Sequence, residues 1–102
     1  YDCSSLVQRL YQEVGISLPA IASTQGEFMV THGLEVTEGE LEPGDLIFYS
    51  YEQNGQFRNI SHVAIYVGNG RMVHAANSRR GVVNDPFNPS NIGLYGRPSR
   101  LQ

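Results

Sequence analysis

Apolar residues near the start of the chain recur at a three-to-four spacing. Leu6, Val7, Leu10, Tyr11 and Val14 fall on one face of a helix that opens at Asp2-Cys3-Ser4-Ser5. Gly15 supplies its stop. A second, short helix is predicted from Ser23 or Thr24, either of which can cap it, to near Gly33. Beyond that point the pattern becomes that of strands. Pro43-Gly44 is a turn that launches Leu46-Ile47-Phe48-Tyr49-Ser50-Tyr51, and the polar stretch Glu52 to Asn59 closes it. Ile60 to Gly68 is a hydrophobic strand, Asn69-Gly70 a two-residue hairpin turn, and Arg71 to Ala76 the partner strand. Arg79 to Val83 predicts another strand, Asp85 to Ser90 an irregular loop carrying Pro86 and Pro89, and Tyr95 to Arg97 a last edge strand. Helix first and sheet after is the order of an α+β fold, with a helix packed on an antiparallel sheet.

Composition narrows the field. The chain has 102 residues, of which 40% are hydrophobic and 17% charged, values of an ordinary globular domain with one modest core. Net charge is −3, from 7 basic residues, all arginine, against 10 acidic ones. No basic stripe runs along any segment, so nucleic acid is not an expected partner. No apolar run approaches the ~18 residues needed to span a bilayer. The single cysteine excludes an intramolecular disulfide.

That cysteine carries the candidate chemistry. Cys3 stands at a helix N-terminus, where unpaired backbone N–H groups and the positive end of the dipole favour thiolate over thiol. Asp2 before it reads as the helix N-cap, whose charge partly opposes that effect. His62 interrupts the apolar series of one strand, and His74 lies in its hairpin partner. With Asn69-Gly70 as the turn and no irregularity, Ile65 opposes His74. His62, an odd number of residues further along, then points to the other face. Three residues of strand also span about 10 Å, too far for contact. For the two histidines to work together, the pairing must be offset by one residue through a bulge or a longer turn between Val67 and Val73. His32, at the end of the second helix, reads as a surface residue suited to the dipole there. Arg79-Arg80 reads as a solvated pair, with a substrate carboxylate as the other possible partner.

Four blocks occur in one order along the chain: Asp2-Cys3-Ser4-Ser5-Leu6-Val7, Leu41-Glu42-Pro43-Gly44-Asp45-Leu46-Ile47-Phe48, Ser61-His62-Val63-Ala64-Ile65-Tyr66-Val67-Gly68 and Val73-His74-Ala75. Together they resemble the NlpC-type papain-like cell-wall cysteine peptidases. The resemblance implies a papain-like fold for residues 1–102 as one peptidase domain, in which an N-terminal catalytic helix packs on an antiparallel sheet. It implies Cys3 as nucleophile, His62 as general base, and His74 as the residue that orients His62. It places Asp2, Ser4 and Ser61 along the substrate site. The implied reaction is hydrolysis of amide bonds in peptidoglycan stem peptides, next to D-glutamate, with no metal or other cofactor. The implied setting is secreted or wall-associated, with other targeting or lytic domains attached. Ser5 stands where the family more often has glycine. The segment that usually precedes the cysteine, with a tyrosine and a Trp-Gly-Gly run, has no counterpart in a chain that opens at Tyr1 and has no tryptophan.

Two other readings fit the same residues. Cys3, His62 and His74 are a legitimate zinc ligand set with one open position. Alternatively, the fold serves as an inactive module that binds cell-wall peptides. A histidine as third member, being neutral, orients the base but stabilises the imidazolium less than a carboxylate does.

Overall fold

The computed structural model describes residues 1–101. Helix α1 spans Cys3–Gln12 and α2 spans Ala22–Thr31. The strands are β1 (Glu35–Val36), β2 (Leu46–Tyr49), β3 (His62–Gly68), β4 (Arg71–Asn77), β5 (Gly81–Pro86) and β6 (Ile92–Gly96). They form one antiparallel sheet in the order β1-β6-β2-β3-β4-β5. The expected α+β arrangement, helix on antiparallel sheet, is what the chain adopts.

Period-two alternation along the central strands separates two apolar clusters. Leu46, Phe48, Val63, Ile65 and Leu94 pack with Val7, Ile16, Ala22 and Met29 from the helical half. Ile47, Tyr49, Ala64, Met72 and Tyr95 form the second cluster. Gly26 lets α2 approach the sheet closely, since a Cβ there would lie 2.6 Å from Ile60 Cδ1. Asp45, from the block Leu41 to Phe48, is buried and accepts from Arg97 Nε at 2.8 Å and Nη2 at 2.9 Å, which ties the start of β2 to the chain after β6. That part of the motif is structural.

Several elements differ from the sequence reading. The second helix begins at Ala22 with Ile21 as N-cap and no side-chain cap. Ser23 is buried inside it, and the Thr24 hydroxyl donates back to the Ile21 carbonyl. The pair β1 and β6 was not legible as such: β6 starts at Ile92, and it lies between β1 and β2 rather than at an edge. Asp85 and Pro86 belong to β5, an edge strand where a proline's missing N–H costs no ladder bond. His32 is exposed and lies against the Phe28 ring, as a surface residue would.

The β3–β4 hairpin decides the site. Asn69 and Gly70 both have positive φ, 54° and 69°, which makes the two-residue turn the sequence called for. Gly68 pairs with Arg71, but Tyr66 pairs with Met72, so Val67 is left over as a bulge. Ile65 therefore opposes Val73 instead of His74. This is the one-residue offset between Val67 and Val73 that a shared histidine face required. Gly68 takes φ 91° beside the bulge, a conformation that glycine adopts without a Cβ clash.

Candidate active site

The N-terminus of α1 is built around Asp2. Its Oδ1 accepts from the Ser5 N–H at 2.8 Å and from the Ser4 hydroxyl at 3.3 Å, while the Ser5 hydroxyl accepts from the Asp2 N–H at 3.0 Å. Ser5, which stands in place of glycine, thus closes a capping box. Gln25 on α2 is fully buried, and its Nε2 donates to the Ser4 carbonyl at 3.0 Å and the Pro19 carbonyl at 2.8 Å. It binds the first turn of α1 to the second helix, and so places Cys3.

Cys3 is half-buried, with its sulfur against the backbone N–H of Val63 at the start of β3. Burial pushes the thiol up from its ordinary value, and the neighbouring Asp2 charge adds to this. The N–H groups of Val63, Ser4 and Cys3 act in the opposite direction but do not win. The expectation of a thiolate favoured by the helix end is therefore corrected. Desolvation of a charged sulfur outweighs a dipole that also faces a capping carboxylate.

His62 begins β3, and its Nε2 lies 2.7 Å from Nδ1 of His74. Their rings meet edge to face, with centroids 5.0 Å apart. Burial first and the neighbouring His74 second lower His62 to about 4, so its ring is neutral at pH 7. Past His74 the chain of contacts continues: His74 Nε2 lies 2.8 Å from Oδ2 of Asp85, and Arg80 clasps that carboxylate with both Nη atoms at 2.8 and 2.9 Å.

Two cavities meet at Cys3. One, of about 340 Å³, is lined by Cys3 and His62 together with Tyr1, Asp2 and residues 75–78. The other, of about 460 Å³, is lined by Asp2, Cys3, Ser4 and Ser61, with Ile21, Asn54 and Gln56 among the residues opposite. Asp2 and Cys3 line both cavities, and His62 lines the first.

The sequence model of the NlpC/P60 family matches residues 1–93, most of the chain. The chain belongs to the NlpC/P60 family. A gamma-D-glutamyl-L-lysine dipeptidyl-peptidase of Bacillus cereus is 33% identical over 101 residues, covering 98% of this chain and 28% of that protein. Among solved structures, an NlpC/P60 family protein from the same species superposes with a TM-score of 0.80 at 30% identity, covering 96% of this chain and 32% of that one. RipD of Mycobacterium tuberculosis, described as a non-catalytic NlpC/p60 domain protein adapted to peptidoglycan binding, superposes with a TM-score of 0.76 at 26% identity, covering 95% and 66%. The chain therefore spans under a third of the Bacillus cereus relatives it matches. Among the described residues no helix is long and apolar enough to cross a membrane.

Within this NlpC/P60 fold, Cys3 and Asp2 line both cavities, His62 lines one and Ser4 and Ser61 the other, with His74 against His62. Asp2 has a complete structural task as the cap, whatever else it does. His62 Nε2 and His74 Nδ1 face each other at hydrogen-bond distance, so those two nitrogens are not turned together toward an ion shared with Cys3. No group of three or more His, Cys, Asp or Glu among the described residues is arranged to hold a metal.

Sequence reasoning missed Gln25 and Asp85, the latter being the partner of Arg80. Asp85 could have been found by extending the strand after Arg80 through Pro86. His74 then opposes Val83, and Asp85 lies two residues along on the same face. The sequence pattern makes Tyr51 only a strand residue. It is exposed beyond the end of β2, stacks on Tyr49 at 5.5 Å, and lies 6.3 Å from the His62 ring.

Proposed function

We propose that this chain is a cysteine endopeptidase that hydrolyses amide bonds in bacterial peptidoglycan stem peptides, at the bond between the D-glutamate side-chain carboxyl and the following diamino acid. The observation that carries the reading is the 2.7 Å bond between His62 and His74, with His62 lining the same cavity as the Cys3 thiol. The name of the Bacillus cereus relative supports the choice of bond. Residues 1–102 act as one catalytic domain, working in a longer secreted or wall-associated protein beside targeting or lytic domains.

The raised thiol and the neutral imidazole describe a resting pair without charge separation. On attack, His62 takes the Cys3 proton as the sulfur bonds to the carbonyl carbon. The tetrahedral oxyanion accepts from the Cys3 backbone N–H at the helix start. The imidazolium then protonates the departing amine, leaving a thioester. A water deprotonated by His62 hydrolyses that thioester and restores the thiol. Ser4, Ser61 and Asp2 line the groove that receives the peptide on one side of the sulfur.

Incubation with purified stem peptides, followed by mass analysis, tests the reading. Wild type should yield two fragments split at the γ-D-glutamyl bond, and Cys3→Ala and Cys3→Ser should yield none while keeping the wild-type fold. Binding of intact peptide with no cleavage by wild type would establish a binding module of the RipD kind instead. Hydrolysis that survives Cys3→Ala would end the thiol mechanism.

A further inference from the structure

The imidazole pair can carry its protons in two opposite senses, and only one of them leaves a base beside Cys3. If His74 in its neutral form is protonated on Nδ1, it donates to His62 Nε2, and the His62 proton must then sit on Nδ1. If His74 is protonated on Nε2, its Nδ1 accepts from His62 Nε2–H, and His62 Nδ1 is free. Nothing in the Cys3–His62–His74 set itself selects between them.

We infer that Asp85, held by Arg80, is a positioning residue that sets the direction of this proton chain through His74, two rings away from the sulfur. This inference rests on the peptidase reading for its consequence in catalysis, but not for its geometry. Asp85 Oδ2 lies 2.8 Å from His74 Nε2 and accepts from Arg80 Nη1 at 2.9 Å, while Oδ1 accepts from Arg80 Nη2 at 2.8 Å. An ionised carboxylate only accepts, so His74 Nε2 must be the donor. Arg80 and His74 together hold the Asp85 carboxyl well below the usual carboxylate range, which keeps it an acceptor at neutral pH.

The local fold prepares each partner. In the β4–β5 register Met72 opposes Asp85 and His74 opposes Val83, so Asp85 meets His74 on the diagonal of one face. Asn77 Oδ1 accepts from the Arg79 N–H at 3.0 Å and the Arg80 N–H at 2.8 Å. That turn fixes where the Arg80 side chain starts. His74 is buried, so its Nε2–H has Asp85 as its partner in place of water. When His62 becomes imidazolium, its Nε2–H already points at His74, whose far side faces a negative charge. A neutral histidine in third place thereby acquires the carboxylate behind it that it lacks on its own.

Long-range proton–nitrogen NMR on protein labelled with 15N-histidine reads the tautomers directly, without substrate. Wild type should show Nε2–H on both His62 and His74. Asp85→Ala and the isosteric Asp85→Asn should lower the Nε2–H population of His74, slow alkylation of Cys3 by iodoacetamide at pH 7, and reduce kcat about 10- to 100-fold with KM little changed. Arg80→Gln should move all readouts the same way by less, and Arg79→Ala should move none. An unchanged His74 tautomer in both Asp85 variants overturns the inference, even if wild type cleaves peptide. A shifted tautomer with slowed alkylation supports it even if wild type cleaves no stem peptide, in which case the peptidase reading alone fails.

Discussion

His62 and His74 stand in similar stretches of sequence, each in a strand among small and apolar residues, yet the fold gives them different surroundings. His74 is buried with 8% of its surface exposed, and both of its ring nitrogens are engaged, one by His62 and one by Asp85. His62 is half-buried, and among the described residues another side chain takes its Nε2 and none its Nδ1; it also lines the cavity that contains Cys3. A histidine with both nitrogens bonded can orient but has no atom to offer a substrate. One with a nitrogen free of such bonds, in a ring that lines an open cavity, can move a proton. Residue type is equal at the two positions, and the hydrogen bonds left over distinguish what each ring has to offer under the proposed function.

The sharpest way to break this comparison is to remove each ring. His62→Ala should cost about 10²- to 10⁴-fold in kcat/KM for stem peptide, the range of a positioned general base. His74→Ala should cost less, roughly 10- to 100-fold, as an orienting partner does. The double variant should be little worse than His62→Ala alone, because members of one unit are not additive. Equal losses from the two single variants would erase the distinction.

The pH profile sharpens it further. Because His62 is lowered from 6.5 to about 4, it stays neutral as pH falls through the ordinary histidine range. The acid limb of kcat/KM should therefore lie well below 6.5 in wild type. In His74→Ala the limb should move up only part of the way, since burial, the larger cause, remains. The same shift bears on stability. Between about 4 and 6.5 the unfolded chain binds a proton at His62 that the native chain does not, so stability should fall as pH drops through that window. Urea midpoints at stepped pH values check the direction, and a flat dependence in His62→Gln would assign it to this ring.

Gln25→Leu tests the other wall of the site. It leaves the carbonyls of Ser4 and Pro19 without their buried donor, so unfolding should become easier by about 1–3 kcal/mol. Stability should suffer more than the histidine pair does. The smallest effect is expected from deleting Val67. The bulge residue is already outside the ladder, so its loss keeps Tyr66 opposite Met72 and Ile65 opposite Val73. Hydrolysis should persist and the His62–His74 bond should remain visible by NMR. Loss of that bond would show that the bulge's twist, and not only its register shift, is required.

Much of this was legible before the fold was known. The period of Leu6, Val7 and Tyr11 marks α1 and Asn69-Gly70 the hairpin, because helix faces and two-residue turns depend on neighbouring residues. The helix itself ends at Gln12, short of Gly15, and Leu10 and Val14, expected on its apolar face, lie exposed. The four motif blocks were enough to point to Cys3, His62 and His74 together. Even the need for an offset in the hairpin followed from counting, since a period of two cannot put positions of opposite parity on one face. The two-residue β1 carries too little pattern to read, and the central position of β6 depends on which distant strands it joins.

What the sequence by itself determined was local: the helix that bears Cys3, the strands that bear the histidines, and the residue types that suit a thiol peptidase. What only the tertiary structure decided was every property that depends on distant neighbours. The Cys3 thiol is raised rather than lowered because packing against the sheet removes water from it, and no local dipole argument contains that cost. Arg80, still exposed, gained a carboxylate partner, and Asp85 left the class of loop residues, when β5 placed one carboxylate between a guanidinium and the His74 ring. Desolvation and charge pairing act across space, so their signs are settled only when the chain has folded.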